Sequence, residues 1–343
     1  MKLLVTGGAG FIGSNFVLYM LREHPSYEII NVDALTYAGN LENLHTVESN
    51  PRYTFIKADI ADVKQMEAVF SQGIDVVVNF AAESHVDRSI LSPDIFVRTN
   101  VMGTQVLLDA AKKYQVTKFV QVSTDEVYGS LGATGLFTED TPLMPNSPYS
   151  ASKAGGDLLV RAYHETFGLP VNVTRCSNNY GPFQFPEKLI PLIISRALND
   201  EAIPVYGDGL NIRDWLYVED HCSAIDLVIH NGQSGEVYNI GGNNERTNIY
   251  IVESVLEQLG KPASLIQYVQ DRLGHDRRYG IDPTKIRTEL GWQPAHNFET
   301  GIKETIQWYL KHQDWWTRIQ SGTYQDYVQL QYGSGWVIRP NEL

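Results

Sequence analysis

A glycine-rich turn near the amino terminus constrains this chain more than any other feature. Gly7, Gly10 and Gly13 follow the β-branched and leucine run at 2–6 and open the amphipathic stretch at 11–23, in the spacing G-x-x-G-x-x-G. Residues without a Cβ let a backbone approach a pyrophosphate closely. A helix that starts there adds unpaired N–H groups and positive dipole potential, to which Phe11 and Ile12 in the first turn contribute. Glycines alone could make only a tight turn; the strand–turn–helix setting is what makes them a dinucleotide signal.

The same rhythm continues downstream. Segments 28–32, 53–57, 75–80, 118–123 and 170–176 read as buried strands, and 63–70, 95–114 and 148–167 as helices. Pro148 stands in a first helical turn, where its missing N–H costs nothing. Strands alternating with helices predict an α/β fold, a Rossmann-type doubly wound parallel sheet with helices on both faces. After Tyr180 the rhythm loosens. Helices at 187–199, 215–230, 249–259 and 298–320 alternate with short strands, and 236–240 reads as a strand that rejoins the first sheet. A smaller, interleaved C-terminal α/β domain is expected. Trp308, Trp315 and Trp316 read as packing anchors.

Asp33 ends the second strand, 20 residues after Gly13. A carboxylate there accepts both ribose hydroxyls and repels the extra phosphate of NADP, which favours NAD. Asp59 and Ile60 could frame the adenine, and Phe80, Ala81 and Ala82 are small enough in backbone terms to lie beside the cofactor. Tyr149 and Lys153 form Y-x-x-x-K and share one helix face. A lysine ammonium beside a phenol favours the phenolate, so a lowered tyrosine pKa and a base at neutral pH are expected. Ser123 and Thr124 end the fifth strand, the end at which such sheets bind ligands.

Charge and cysteine content narrow the classes. With 27 basic against 40 acidic residues the net charge is −13, which argues against a nucleic-acid surface. No window approaches the ~20 apolar residues of a membrane span, and residues 1–5 do not read as a leader. The two cysteines, Cys176 and Cys222, are far apart without metal-ligand spacing, so a cytoplasmic protein without a metal is expected. The sequon at Asn172 lies in a strand and is discounted.

The glycine loop, the Tyr149/Lys153 pair and the hydroxyl of Thr124 resemble the extended short-chain dehydrogenase/reductase family. Within it, VDALTYAGN at 32–40, AAESHVDRS at 81–89, STDEVYG at 123–129, CSNNYGP at 176–182, RDWLYVEDH at 213–221 and HDRRY at 275–279 resemble the dTDP-glucose 4,6-dehydratase family. The resemblance covers residues 1 to about 330. It implies an NAD-dependent hydro-lyase of deoxysugar biosynthesis, dTDP-rhamnose included. In that chemistry Tyr149 takes the C4 hydroxyl proton with Thr124 positioning it, Glu126 removes the C5 proton, and Asp125 protonates the leaving C6 hydroxyl. Two carboxyls can do this if their surroundings push their pKa values apart.

Further assignments follow from the resemblance. Ala34, Leu35, Thr36, Ser84, Thr99 and Asn179 join the cofactor set. Ser84, Thr124, Asn178, Lys188, Leu189, Pro204, Val205, Tyr206, Arg213, Asn248, Asp271, Arg272 and His275 border the sugar nucleotide, with Arg213 and Arg272 on its diphosphate. Where the family reads D-R-P-G-H this chain has Leu273, which frees φ in that loop. Residues 1–182, with 214–240 rejoining them, form the implied NAD-binding domain. Residues 183–213 and 241–343 form the implied nucleotide-sugar-binding domain. A homodimer through a four-helix bundle of 95–114 and 148–167 is implied, with Phe96, Val106, Leu107, Ala110, Leu158, Leu159 and Ala162 as a candidate seam. Two rivals remain at this stage. One is a UDP-glucose 4,6-dehydratase or a 4-epimerase on the same scaffold, and the other is an NAD-binding regulator, which would not need Asp125, Glu126 and Tyr149 together.

Overall fold

A computed structural model describes residues 1–271 and 275–320 of the chain. Its first part runs β1 (Lys2–Thr6), α1 (Phe11–Glu23), β2 (Glu28–Asp33), β3 (Tyr53–Lys57), α2 (Val63–Phe70) and β4 (Val76–Asn79). Short helices α3 (Val86–Leu91) and α4 (Pro93–Phe96) lead to α5 (Thr104–Lys113), β5 (Lys118–Thr124), α6 (Pro148–Phe167) and β6 (Val171–Cys176). There follow β7 (Asn178–Tyr180), α7 (Leu189–Leu198), β8 (Ile203–Tyr206), β9 (Ile212–Tyr217), α8 (Val218–Asn231) and β10 (Val237–Ile240). The described chain ends with β11 (Glu245–Thr247), α9 (Asn248–Leu259), β12 (Ile266–Val269), α10 (Thr284–Leu290), α11 (Phe298–Lys311) and α12 (Gln313–Gln320).

Seven strands form one parallel sheet in the order β10-β6-β5-β4-β1-β2-β3. Their apolar runs are buried on both faces, as an all-parallel sheet requires. Phe16, Val17 and Met20 of α1 pack with Ile225 and Val228 of α8 on one face; Met66, Leu107, Phe119 and Val160 fill the other. Each such side chain contributes about 1.5–3 kcal/mol on leaving water. Chain direction across the sheet reverses between β1 and β4, so a crevice opens above their carboxyl ends. Those ends are tied together by a polar ladder. Thr6 Oγ1 donates to Asn79 Oδ1 at 2.6 Å, and Asn79 Nδ2 donates to Gln121 Oε1 at 2.8 Å.

Smaller sheets, β11-β9-β7 and β12-β8, cluster with α7, α9 and α11 around Ile190, Ile193, Val205, Trp215 and Ile302. Trp315 and Trp316 are buried there, with indole N–H groups donating to Asn43 Oδ1 (2.9 Å) and the Tyr309 carbonyl (3.1 Å). Helix α6 is punctuated at both ends. Ser147 and Ser150 form a reciprocal capping box, and Gly168 closes the helix at φ +67°.

Three local readings change. The helix expected at 95–114 is interrupted by a π-helical stretch at Val97–Gly103. Here Asn100 turns inward, exchanges hydrogen bonds with the Glu83 backbone and donates to Ser152 Oγ at 2.8 Å. Residues 215–217 are strand, because they pair with β7 before α8 begins. The expected last helix breaks at His312 into α11 and α12.

Candidate active site

The glycine turn lies at the carboxyl end of β1. Gly7 has φ +71°, and a Cβ on it would meet Ala81 N at 2.6 Å. A Cβ on Gly13 would meet the Gly7 carbonyl at 2.3 Å, so the loop can close against α1 only without side chains. Gly10 caps α1 with no side chain on the first-turn N–H groups, leaving them for an anion. Asp33 is buried; its two carboxylate oxygens accept from Ala9 N (2.9 Å) and Leu35 N (2.8 Å) and retain lone pairs for sugar hydroxyls. Burial raises its pKa, and those two N–H bonds oppose the rise.

A cleft of about 470 Å³ runs from this turn across the sheet. Gly7, Gly10, Phe11, Ile12, Gly13, Asp33, Ala34, Thr36, Asp59, Ile60, Phe80, Ala81, Ala82, Ser84, Thr99 and Asn179 line it, together with Thr124, Asp125, Glu126, Tyr149, Lys153, Asn178 and Lys188. Leu35 does not. It takes φ +54° in the turn after Asp33, and its N–H serves the carboxylate. A neutral cradle, free helix N–H groups and a ribose-facing carboxylate are the donor set that fits NAD.

Thr124 is the last residue of β5 and caps the short 3₁₀ turn Asp125–Tyr128, accepting from Glu126 N at 3.2 Å. Its hydroxyl also reaches Asp125 Oδ1 at 3.4 Å and hydrogen-bonds Tyr149. Asp125 is buried, and among the described residues its Oδ2 has no hydrogen-bond partner. Burial pushes its pKa well above the usual carboxylate range, helped by the charges of Glu126 and Asp214 and opposed by Arg213 and Thr124. Asp125 is therefore shifted toward its proton-bearing form, beside the second carboxyl group of Glu126.

The tyrosine behaves differently from the sequence expectation. Burial raises the Tyr149 pKa well above its ordinary value, and Glu126 adds to the rise. Lys153 gives its ammonium to the Val122 carbonyl at 2.7 Å, and burial lowers its own pKa, with Asp157 opposing. In the protein alone burial and the Glu126 charge govern the phenol, with the Thr124 hydrogen bond opposing.

The remaining residues of the sugar-nucleotide set lie outside this cleft. Leu189 starts α7 and packs into the apolar cluster around Ile190 and Trp215. Arg213, buried on β9, donates to the Ile212 (2.7 Å) and Asp276 (2.9 Å) carbonyls and lies 4.3 Å from the Tyr279 ring centre. Pro204, Val205 and Tyr206 sit on β8, where His275 meets the Tyr206 ring edge-on and pairs with Asp271 Oδ1 at 2.6 Å. Asn248 opens α9 and its N–H donates to the Asn211 carbonyl, while its Oδ1 is buried without a partner among the described residues. These segments meet through Asn211–Arg213 and Asp276. Arg272 and Leu273 lie outside the described residues.

Several groups escaped the sequence reading. Asp214 accepts from Gly242 N and Asn244 N, and its charge reaches Asp125. Asp157, buried one helical turn after Lys153, accepts from Arg175 Nε at 3.0 Å; its spacing, Tyr149-x-x-x-Lys153-x-x-x-Asp157, was visible. Tyr37, Arg98, Phe185 and Glu187 also line the cleft; of these Tyr37 falls in one of the family-like segments, VDALTYAGN at 32–40.

Comparisons with known proteins agree with this geometry. The GDP-mannose 4,6 dehydratase family model matches residues 4–305. A dTDP-glucose 4,6-dehydratase of Xanthomonas campestris is 54% identical, over 94% of this chain and 97% of its own. The Bacillus anthracis dTDP-glucose 4,6-dehydratase, solved with NAD, is 56% identical at a TM-score of 0.88, covering 93% of this chain and 99% of that one. A Streptomyces venezuelae dTDP-glucose 4,6-dehydratase, solved with NAD and a second ligand, is 50% identical at a TM-score of 0.91, covering 93% and 100%. A cleft that fits NAD, a buried carboxyl of raised pKa beside a second carboxyl and likeness along nearly the whole chain place this protein in the dTDP-glucose 4,6-dehydratase family of extended short-chain dehydrogenase/reductases.

Proposed function

We propose that this chain converts dTDP-glucose to dTDP-4-keto-6-deoxyglucose and water, and that Thr124, Asp125, Glu126, Tyr149 and Lys153 carry the chemistry. The observation that carries the reading is the buried Asp125, its pKa raised by enclosure, adjoining Glu126 and Thr124 at the end of β5. An epimerase exchanges hydrogen at C4 alone and needs no acid for a leaving C6 hydroxyl.

When bound, NAD supplies a hydride acceptor for C4, a hydride donor for C6 and a positive nicotinamide charge. Gly7, Gly10, Gly13 and Asp33 would hold it. Tyr149, hydrogen-bonded to Thr124, is placed to take the C4 hydroxyl proton once its own has been released. Lys153, one turn on in α6, and a bound nicotinamide's positive charge would favour that loss against the desolvation that raises the phenol's pKa in the protein alone. The resulting C4 ketone acidifies the C5 proton, which Glu126 removes. Asp125 gives its proton to the C6 hydroxyl, which leaves as water. Glu126 then returns a proton to C5. Burial raises the Asp125 pKa and so favours the neutral, proton-bearing form, which is the state an acid must start from.

We also propose the domain division at residues 1–182 with 214–240, against 183–213 with 241–343. It is supported by β10 pairing with β6 in the large sheet and by α8 packing on α1. The gripping residues of the second part are Lys188, Pro204–Tyr206, Arg213, Asn248 and the Asp271–His275 loop. A second copy of the chain is proposed to cover the face formed by α4, the π-helical stretch and α6. On that face Ile95, Val97, Met102 and Leu158 are exposed. Phe96, Val106, Leu107 and Ala110 are buried within the protomer, whereas Leu158 and Ala162 of the expected seam are exposed, so the proposed seam keeps these two and adds Ile95, Val97 and Met102. No helix among the described residues is long and apolar enough to cross a membrane. A cytoplasmic location is proposed on the two free, buried cysteines.

The test follows product mass with dTDP-glucose and UDP-glucose as substrates. Loss of one water from dTDP-glucose is expected; an unchanged mass with inverted C4 would instead mean an epimerase. Glu126→Gln is expected to stop elimination while C4 oxidation stays measurable as NADH absorbance. Water loss at the parental rate would remove Glu126 from its role.

A further inference from the structure

We propose that His24, Asp226 and His230 form a divalent-metal site of zinc class, clasping the end of α1 to α8. His24 is the residue that ends α1, and Asp226 and His230 stand one turn apart on one face of α8. One ligand atom from each lies within 4.8 Å of the others. His24 Nε2 is 2.9 Å from both Asp226 carboxylate oxygens, and His230 Nδ1 is 3.1 Å from Oδ1. Ligands about 2.0–2.1 Å from a tetrahedral zinc ion stand about 3.3 Å apart, so the ion needs only a small outward movement of the three groups.

The surroundings favour a cation over a simple ion pair. Among the described residues no lysine or arginine pairs with Asp226; Arg52, the nearby guanidinium, is spent on the carbonyls of Leu21, His24 and Tyr27. The rings are already ordered. His24 stacks on Tyr27 at 4.5 Å and on His230 at 5.1 Å, which reduces the freedom lost on binding. Tyr27 Oη lies 2.7 Å from His230 Nε2. With the proton on Nε2 donated to that hydroxyl, Nδ1 is left as the ligand atom, the usual outer-shell arrangement of a metal-bound histidine. In the metal-free form Nδ1 instead faces the Asp226 carbonyl at 2.8 Å. Two imidazoles and one carboxylate select zinc, nickel or copper and not magnesium or calcium.

The site lies at the far end of α1 from the glycine turn, about 20 Å along the helix axis. It touches neither the cleft nor Asp125, so its effect is on the stability of the α1–α8 layer and not on turnover.

Calorimetric titration of the full-length, chelator-stripped protein with zinc chloride tests the proposal, with magnesium chloride as the second arm. One zinc per chain and no magnesium binding are expected. Zinc a hundredfold above its Kd should raise Tm by about 4 °C. His24→Gln and His230→Gln should each weaken zinc at least tenfold and abolish that rise while keeping the parental metal-free Tm. Cobalt binding to the parent protein, read by its visible bands, stands independently of whether either variant folds. Failure of the parent to bind zinc or cobalt overturns the proposal, and so does equal zinc affinity in the folded variants, which would put the ion elsewhere.

Discussion

The two ends of the proposed ligand path would meet the same demand, holding a diphosphate, in opposite ways. On the cofactor side a short contiguous turn, Gly7 to Gly13, offers backbone N–H groups and no charge. On the sugar-nucleotide side the polar groups come from β8, β9, the start of α9 and the stretch around Asp271–Asp276, and one of them, Arg213, is already held by two carbonyls. A backbone cradle is complete once the local fold forms. A site of imported side chains depends on several segments meeting, and each group must be withdrawn from its structural contacts or serve both.

Breaking the reaction centre between them should produce the largest effect. Tyr149→Phe is expected to lower kcat by about 10²–10⁴, the span of general acid–base catalysis, while the protein still retains NAD by chromatographic assay. Retained turnover would move the proton transfer elsewhere.

The contrast itself is sharpened by one change on each side. Gly13→Ala places a methyl 2.3 Å from the Gly7 carbonyl and 2.8 Å from Gly8 Cα. Overpacking of this kind costs about 1–3 kcal/mol, so NAD affinity should fall about 5- to 150-fold, with KM for dTDP-glucose little changed once NAD is saturating. Arg213→Lys should do the reverse, raising KM for dTDP-glucose about tenfold as the planar fork is lost. If it lowers Tm and leaves KM untouched, Arg213 is a strap between β9 and Asp276 and the diphosphate is held by other groups.

A further effect concerns the boundary between the two sides. His221 is buried, donates through Nδ1 to Asn179 Oδ1 at 2.9 Å, and has its pKa lowered by desolvation to about 3. The folded state keeps it neutral, whereas the unfolded chain takes up a proton near pH 6.5. Its contribution is present above that pH and lost as pH falls toward 3, at about 1.4 kcal/mol per pH unit. His221→Gln should flatten the fall of the urea midpoint between pH 7 and 4. An unchanged slope would mean that other groups govern acid unfolding.

Much of this was legible along the chain. Buried parallel strands need continuous apolar runs, so β1 to β6 announced themselves, and glycines at three fixed positions after β1 admit few alternatives. Thr124, Asp125 and Glu126 are consecutive, and Tyr149 and Lys153 share a helix face. Periodicity could not tell which way α5 turns. Val106, Leu107 and Ala110 satisfy a core and a seam equally well by pattern, and only packing against the sheet put them inside. Nor could it foresee the π-helical stretch, because Asn100 leaves the helical register to bond the Glu83 backbone 17 residues away.

By itself, then, the order of residues determined the strand–turn–helix cradle, the parallel sheet and the adjacency of the acid and base candidates, since each depends on neighbours within a turn or a strand. Tertiary structure decided the direction in which their pKa values move. That of Asp125 rises because enclosure removes water and because Glu126 and Asp214, the latter 89 positions away, add negative charge beside it. That of Tyr149 rises in the protein alone because of desolvation and the Glu126 charge. A side chain's charge follows the free energy of its surroundings, and those surroundings exist only once distant segments have packed.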